Sequence, residues 1–167
     1  MENLKNACAL IRQQRRVKKD PIILITTKME SGHIIAPVLV IRTRDFSMSN
    51  QFSSLPWHDA ELLSLNIDRA DPGNSDAVTI KVKWPDGNQN DVTFNDCYFL
   101  DAKMNFGVIA EESILDATCF QESQTITDIK EKWQPLGVVL DTISCYRITT
   151  NSTNSQIDIY ALSFVLA

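Results

Sequence analysis

The alternation Val78-Thr79-Ile80-Lys81-Val82-Lys83-Trp84 constrains this chain more than any other stretch. Every second residue is apolar and those between are polar. Such a segment reads as a strand with one face buried and the other solvated. Turn residues bound it on both sides: Asp71-Pro72-Gly73-Asn74 before it and Pro85-Asp86-Gly87-Asn88 after it, with Gly available for positive φ. Upstream, Leu63, Leu65 and Ile67 alternate with Ser64, Asn66 and Asp68, which predicts a preceding strand with those three side chains inward. Downstream, residues 91–100 predict a returning strand whose phase changes. Val92 and Phe94 share one face, whereas Cys97 and Phe99 fall on the other, so a β-bulge is expected near Asn95-Asp96.

The C-terminal part predicts a second hairpin: residues 142–150, a polar loop Asn151-Ser152-Thr153-Asn154-Ser155, then residues 156–166. In its last strand Tyr160, Leu162, Phe164 and Leu166 alternate with Ile159, Ala161 and Val165. A strand apolar on both faces is covered on both, so this one is expected to be central or closed over by a helix. Between the hairpins, residues 105–109 are expected to form a short strand, and residues 111–117 either one or two helical turns or another strand. Residues 127–132 suit a helix that Gln134-Pro135-Leu136-Gly137 stops. The fold class that follows is mainly β: an antiparallel sandwich or partly closed barrel with one or two short helices.

A chain of 167 residues supports one well-buried core. The net charge of −5 conceals a split: residues 1–50 carry nine Lys/Arg against four Asp/Glu, and residues 51–167 seven against seventeen. That is a basic arm beside an acidic body. Residues 2–17 suit a short helix, residues 22–27 and 34–42 a hairpin, and residues 45–56 a polar linker. The domain reading is therefore a basic N-terminal extension over 1–47 and a β-rich domain over 48–167. Met48 has the look of a misassigned or alternative start; the competing reading makes 22–27 and 34–42 strands of the same core. The four cysteines form no Cys-x-x-Cys pair and no zinc spacing, and no signal peptide precedes them, so a cytoplasmic protein with free thiols is expected. The longest apolar run, residues 34–41, is far short of a membrane span. No membrane association is expected.

The strongest candidate for chemistry is His58-Asp59 with Glu61, since imidazole beside carboxylates suits general base work or metal ligation. Neighbours on a strand point to opposite faces, so convergence needs a turn there. A metal site needs three or four ligands, and only His33 supplies a second imidazole. The competing reading is a structural His-Asp turn with Asp59 accepting backbone N–H bonds. Asn95-Asp96-Cys97-Tyr98 reads as a bulge with a core cysteine, since no cation lies nearby to activate a thiolate. The pair Glu111-Glu112 with Asp116 reads as a solvated face. No nucleophile elbow and no phosphate-binding glycine loop is present. The basic run 12–19 lacks interleaved aromatics and sits beside an acidic body, so nucleic acid is not the expected partner. An acidic body favours a basic protein.

Trp57-His58-Asp59-Ala60-Glu61-Leu62, then Trp84-Pro85-Asp86-Gly87 and Val92-Thr93-Phe94, resembles small bacterial immunity-type proteins of polymorphic toxin systems. The resemblance covers residues 57 to about 100, with the closing segment 157–161. It implies a β-rich, non-enzymatic protein that binds a toxin, without cofactor or metal, and a basic toxin domain as the partner. The expected partner-binding residues are Trp57, His58, Asp59, Glu61, Asp68 and Asp86. The alternatives are a small metal-dependent hydrolase using His58 with nearby carboxylates, and a homo-oligomeric structural module. The long segment before Trp57 departs from the family pattern.

Overall fold

The Pro85–Gly87 turn forms as its residues dictate. Gly87 takes φ +88°, its N–H donates to the Trp84 carbonyl at 2.8 Å, and the Asp86 carboxylate accepts from the Asn88 N–H at 2.9 Å. Pro85 presets the first turn residue and only glycine reaches that positive φ without cost. This turn joins two strands of a computed structural model that describes residues 51–73 and 75–167. The basic arm, the expected helix over 2–17, the hairpin over 22–42, the boundary at Met48, His33 and Cys8 lie outside the described residues.

Among the described residues six antiparallel strands make one sheet. In chain order they are β1 (Glu61–Asp68), β2 (Ala77–Lys83), β3 (Gln89–Lys103), β4 (Ile114–Phe120), β5 (Ser144–Thr150) and β6 (Gln156–Leu166), and across the sheet they run β1-β2-β3-β6-β5-β4. The sheet is mainly β architecture as expected, and it is not closed into a barrel. Its two edge strands meet only at one corner, through a single antiparallel bridge between Glu61 and Ser113. Each face carries a core cluster. On one, Val78, Ile80 and Val82 pack with Val92, Phe94, Ile148, Ile157 and Ile159 beneath Phe52 and Trp57. On the other, helix α1 (Gln124–Trp133) sets Ile126 and Ile129 against Cys145, Ile143 and Tyr160. The Ser123 hydroxyl caps α1 by accepting from the Ile126 N–H at 3.2 Å. A 3-10 turn (Gln134–Leu136) and Gly137 at φ +76° then end it.

β6 sits between β3 and β5, which answers the two-sided apolar pattern. Its polar exception is Asp158, buried and held by both Nε and Nη2 of Arg147 at 2.8 and 2.7 Å. The phase of β6 differs from expectation. Tyr160 and Leu162 face α1, whereas Phe164 joins Ile157, Ile159 and Ala161 on the opposite face. The cause lies in β3, its neighbour. Asp96 takes φ +53° and Tyr98 is skipped in the register, so Phe94, Cys97 and Leu100 reach one core while Phe99 pairs with Tyr160 on the other side. The bulge is where the sequence places it, but it contains two irregularities rather than one.

Two other expectations are corrected. The inward side chains of β1 are Leu62 and Leu65, opposite Val82 and Ile80, because the pairing slips at Leu63; Leu63 and Ile67 are 43% and 53% exposed. Residues 105–109 form no strand; they are a loop. Of the two readings of residues 111–117 the strand is the one realised: residues 114–117 open β4.

Candidate functional site

The corner where the sheet edges meet is built from backbone. Asp59 N–H donates to the Ile114 carbonyl at 3.0 Å, Ile114 N–H to Ala60 at 2.7 Å, and Leu62 N–H to Glu112 at 2.8 Å. Asp59 takes φ +64°, so the chain turns there instead of extending. That turn brings together two side chains a strand would separate: His58 Nε2 lies 3.7 Å from Asp59 Oδ2, both largely exposed. His58 Nδ1 lies 3.1 Å from the Leu115 carbonyl. A carbonyl only accepts, so Nδ1 carries the hydrogen and Nε2 faces outward. Asp59 contributes its backbone N–H to the turn rather than accepting one on its carboxylate. Among the described residues no group of three or more His, Cys, Asp or Glu is placed to hold a metal ion.

The other expected contact residues are dispersed. Trp57 is 3% exposed: its ring packs 4.8 Å from Phe52 and 5.1 Å from Trp84, and its Nε1–H donates to the Phe52 carbonyl at 2.6 Å. It belongs to the core and offers a partner no surface. Glu61 reaches across the hairpin to Lys83 Nζ at 2.8 Å. That hydrogen bond and charge, with Glu111 adding to them, hold the ammonium above its ordinary range. Asp86 serves its own turn, and its second oxygen accepts from Asn88 Nδ2 at 2.8 Å. Asp68 accepts from the Ala70 N–H at 2.9 Å, at the end of β1 remote from Glu61, about 23 Å away at strand rise. The fold thus gathers His58, Asp59 and Glu61 at one corner, leaves Asp86 at the same end of the β1–β2–β3 sheet, and places Asp68 at the other.

Among the described residues Cys145 is a buried core thiol, and Cys97 and Cys119 are half-buried beside the core. Burial pushes the Cys97 and Cys119 thiols up to about 11 and Cys145 to about 12. Cys97 Sγ–H donates to the Phe94 carbonyl at 3.3 Å inside the bulge.

The feature that sequence reasoning missed is the loop between β3 and β4. Phe106 is 86% exposed and Ile109 fully so, with Val108 exposed between them. The loop is tied down at both ends. Asn105 N–H donates to Ser155 Oγ at 2.9 Å and Asn105 Nδ2 to the Thr153 carbonyl at 3.0 Å. At the other end Ser113 N–H donates to Ser152 Oγ at 3.1 Å, and Thr153 Oγ1 to Glu112 at 2.7 Å. Gly107, at φ +94°, turns the chain between the apolar residues. The loop runs directly into Glu111 and Glu112, whose backbone forms the corner with Asp59 to Leu62. Apolar side chains therefore project beside the acidic corner. The only signal in the sequence was Gly107 inside an apolar run, and that run also satisfies a strand pattern.

No protein-family model matches this chain, and no curated protein matches its sequence.

Proposed function

We propose that residues 51–167 form a non-enzymatic protein-binding domain of immunity-like type, which takes a basic protein partner on the corner of His58, Asp59, Glu111 and the loop 106–109. The observation that carries this reading is the anchored loop with Phe106, Val108 and Ile109 in solvent. Apolar side chains grouped in water are costly unless something covers them. A loop bonded at both ends has already lost the freedom that binding would otherwise take from it. Charge supports the choice of partner. Of the seven Lys/Arg in this part of the chain, Arg69, Lys83, Lys103 and Arg147 are engaged by carboxylates, so among the described residues acid remains in excess. The immunity-like character rests on the resemblance carried by Trp57-His58-Asp59-Ala60 and Trp84-Pro85-Asp86-Gly87.

The test is comparative capture from extracts of the source cells by the full chain and its Phe106→Ser/Ile109→Ser variant. A basic protein held by the native chain, and held about tenfold less by a variant of equal thermal stability, supports the reading. Equal retention by both sinks it. Sedimentation of the two proteins separates the homo-oligomer alternative: a dimer in the native chain that the variant dissolves makes the loop a self-interface.

A further inference from the structure

β3 outruns its neighbour. β2 pairs with it only from Gln89 to Asn95, whereas β6 follows it from Val92 to Lys103. Among the described residues no strand lies on the far side of Phe99–Lys103. In an antiparallel ladder every second residue turns its N–H and C=O away from its partner, so this edge presents unused donors and acceptors. The β1–β2 hairpin stops short beside it and leaves a groove of about 420 Å3, lined by Ile67, Asp68, Asp76, Phe99 and Trp133 among others. At its other end the edge runs through Met104 and Asn105 into the exposed loop at Phe106. Open edges are normally blunted by proline, charged side chains, bulges or a covering element. Residues 98–110 contain no proline, and their one lysine, Lys103, is paired with Asp101 at 3.3 Å.

We propose that the Phe99–Lys103 edge of β3 receives an extended, basic segment of the partner as an added strand. This rests on the protein-binding reading and supplies its mode. Main-chain hydrogen bonds to the edge give affinity, and alternate side chains give specificity. One set lies on the α1 side near Phe99 and the other on the side of Leu100 and Ala102. The cationic character follows from the flanking charge: Asp68 and Asp76 line the groove and Asp101 lies in the edge itself, while Arg69 and Lys103 are already paired with Asp76 and Asp101. The incoming strand would run from the groove towards Phe106, so edge and loop form one continuous surface.

The experiment uses the full chain and two probes: a capped peptide of eight alternating lysines and valines, and the same peptide N-methylated at every residue. Both have the same side chains and charge, but only the first donates main-chain hydrogen bonds. The expected result is binding of the first peptide, about tenfold or more weaker binding of the second, and slowed amide exchange within Phe99–Lys103 on adding the first. Equal affinities, protection confined to other residues, or no binding of the unmodified peptide overturns the strand addition. The two readings fail separately. Loss of cellular partner in the Phe106→Ser/Ile109→Ser variant with no effect of N-methylation leaves protein binding standing and removes the edge. Edge protection by the peptide, with the variant still holding every partner, removes the loop and keeps the edge.

Discussion

Asp59 and Asp96 show how a single backbone angle decides what neighbouring side chains can do. At φ +64° Asp59 bends the chain so that His58 and Asp59 meet, and at φ +53° Asp96 breaks the alternation of β3. Aspartate tolerates this region better than most residues, but nothing in its neighbours announces it. Cys97 was legible as a core thiol because no cation lies near it in sequence, and its position inside the bulge agrees. The buried thiols also set a pH dependence. Folding raises the pKa of Cys97, Cys119 and Cys145 from the ordinary 9.0 to about 11, 11 and 12. The folded state therefore holds these protons more tightly than the unfolded chain. Their contribution to stability is complete below pH 9 and is lost as pH climbs through 11 and 12. Tyr146 and Tyr160, also raised by burial, act in the same direction. The urea midpoint is expected to fall between pH 8 and pH 10.5, and to fall less in a Cys145→Ala variant compared with its own value at pH 8. A flat profile over that range would show that these groups are solvated.

At the scale of elements, what could be read from sequence is what local pattern controls. Val78–Trp84 alternates, its turns carry Pro and Gly, and it emerges as β2 with Val78, Ile80 and Val82 buried. β5 and β6 were legible for the same reason. What escaped depends on pairing between strands: the slip at Leu63, the second irregularity at Tyr98, and the length of β3, which the sequence reading ends at residue 100. Register is a property of two strands, so one strand's pattern cannot fix it. The segment 51–56 is the sharper lesson. It reads as the end of a polar linker, yet it carries Phe52, fully buried and in ring contact with Trp57, Phe94, Tyr146 and Phe164 at 4.8 to 6.0 Å. One aromatic side chain roofs the centre of the sheet. Phe52→Ala is expected to cost about 3–5 kcal/mol, the range for emptying a large buried aromatic site. Chemical denaturation monitored by Trp57 and Trp84 fluorescence measures it. A loss below about 1 kcal/mol would mean that the sheet keeps its cover without this ring.

At the scale of the whole molecule, the proposed protein binding would divide its work between charge and apolar surface. Seventeen Asp/Glu against seven Lys/Arg in residues 51–167 were visible in the composition, but the place where they matter was not. The candidate corner is assembled from residues 58–62 and 111–115, some fifty positions apart, and joined by an edge-to-edge bridge. A contact of that separation leaves no periodic trace. Long-range attraction accelerates encounter, whereas the buried apolar contacts formed afterwards govern release. Association with a basic partner should therefore slow by roughly tenfold or more between about 0.1 and 1 M salt, as the screening length shrinks from about 10 to about 3 Å. Dissociation should change little over the same range. The Phe106→Ser/Ile109→Ser variant should do the opposite, with a near-native association rate and faster release. Stopped-flow mixing resolves both rates. If salt acts on release and the loop variant acts on encounter, the acidic exterior and the apolar loop do not hold the roles their chemistry assigns.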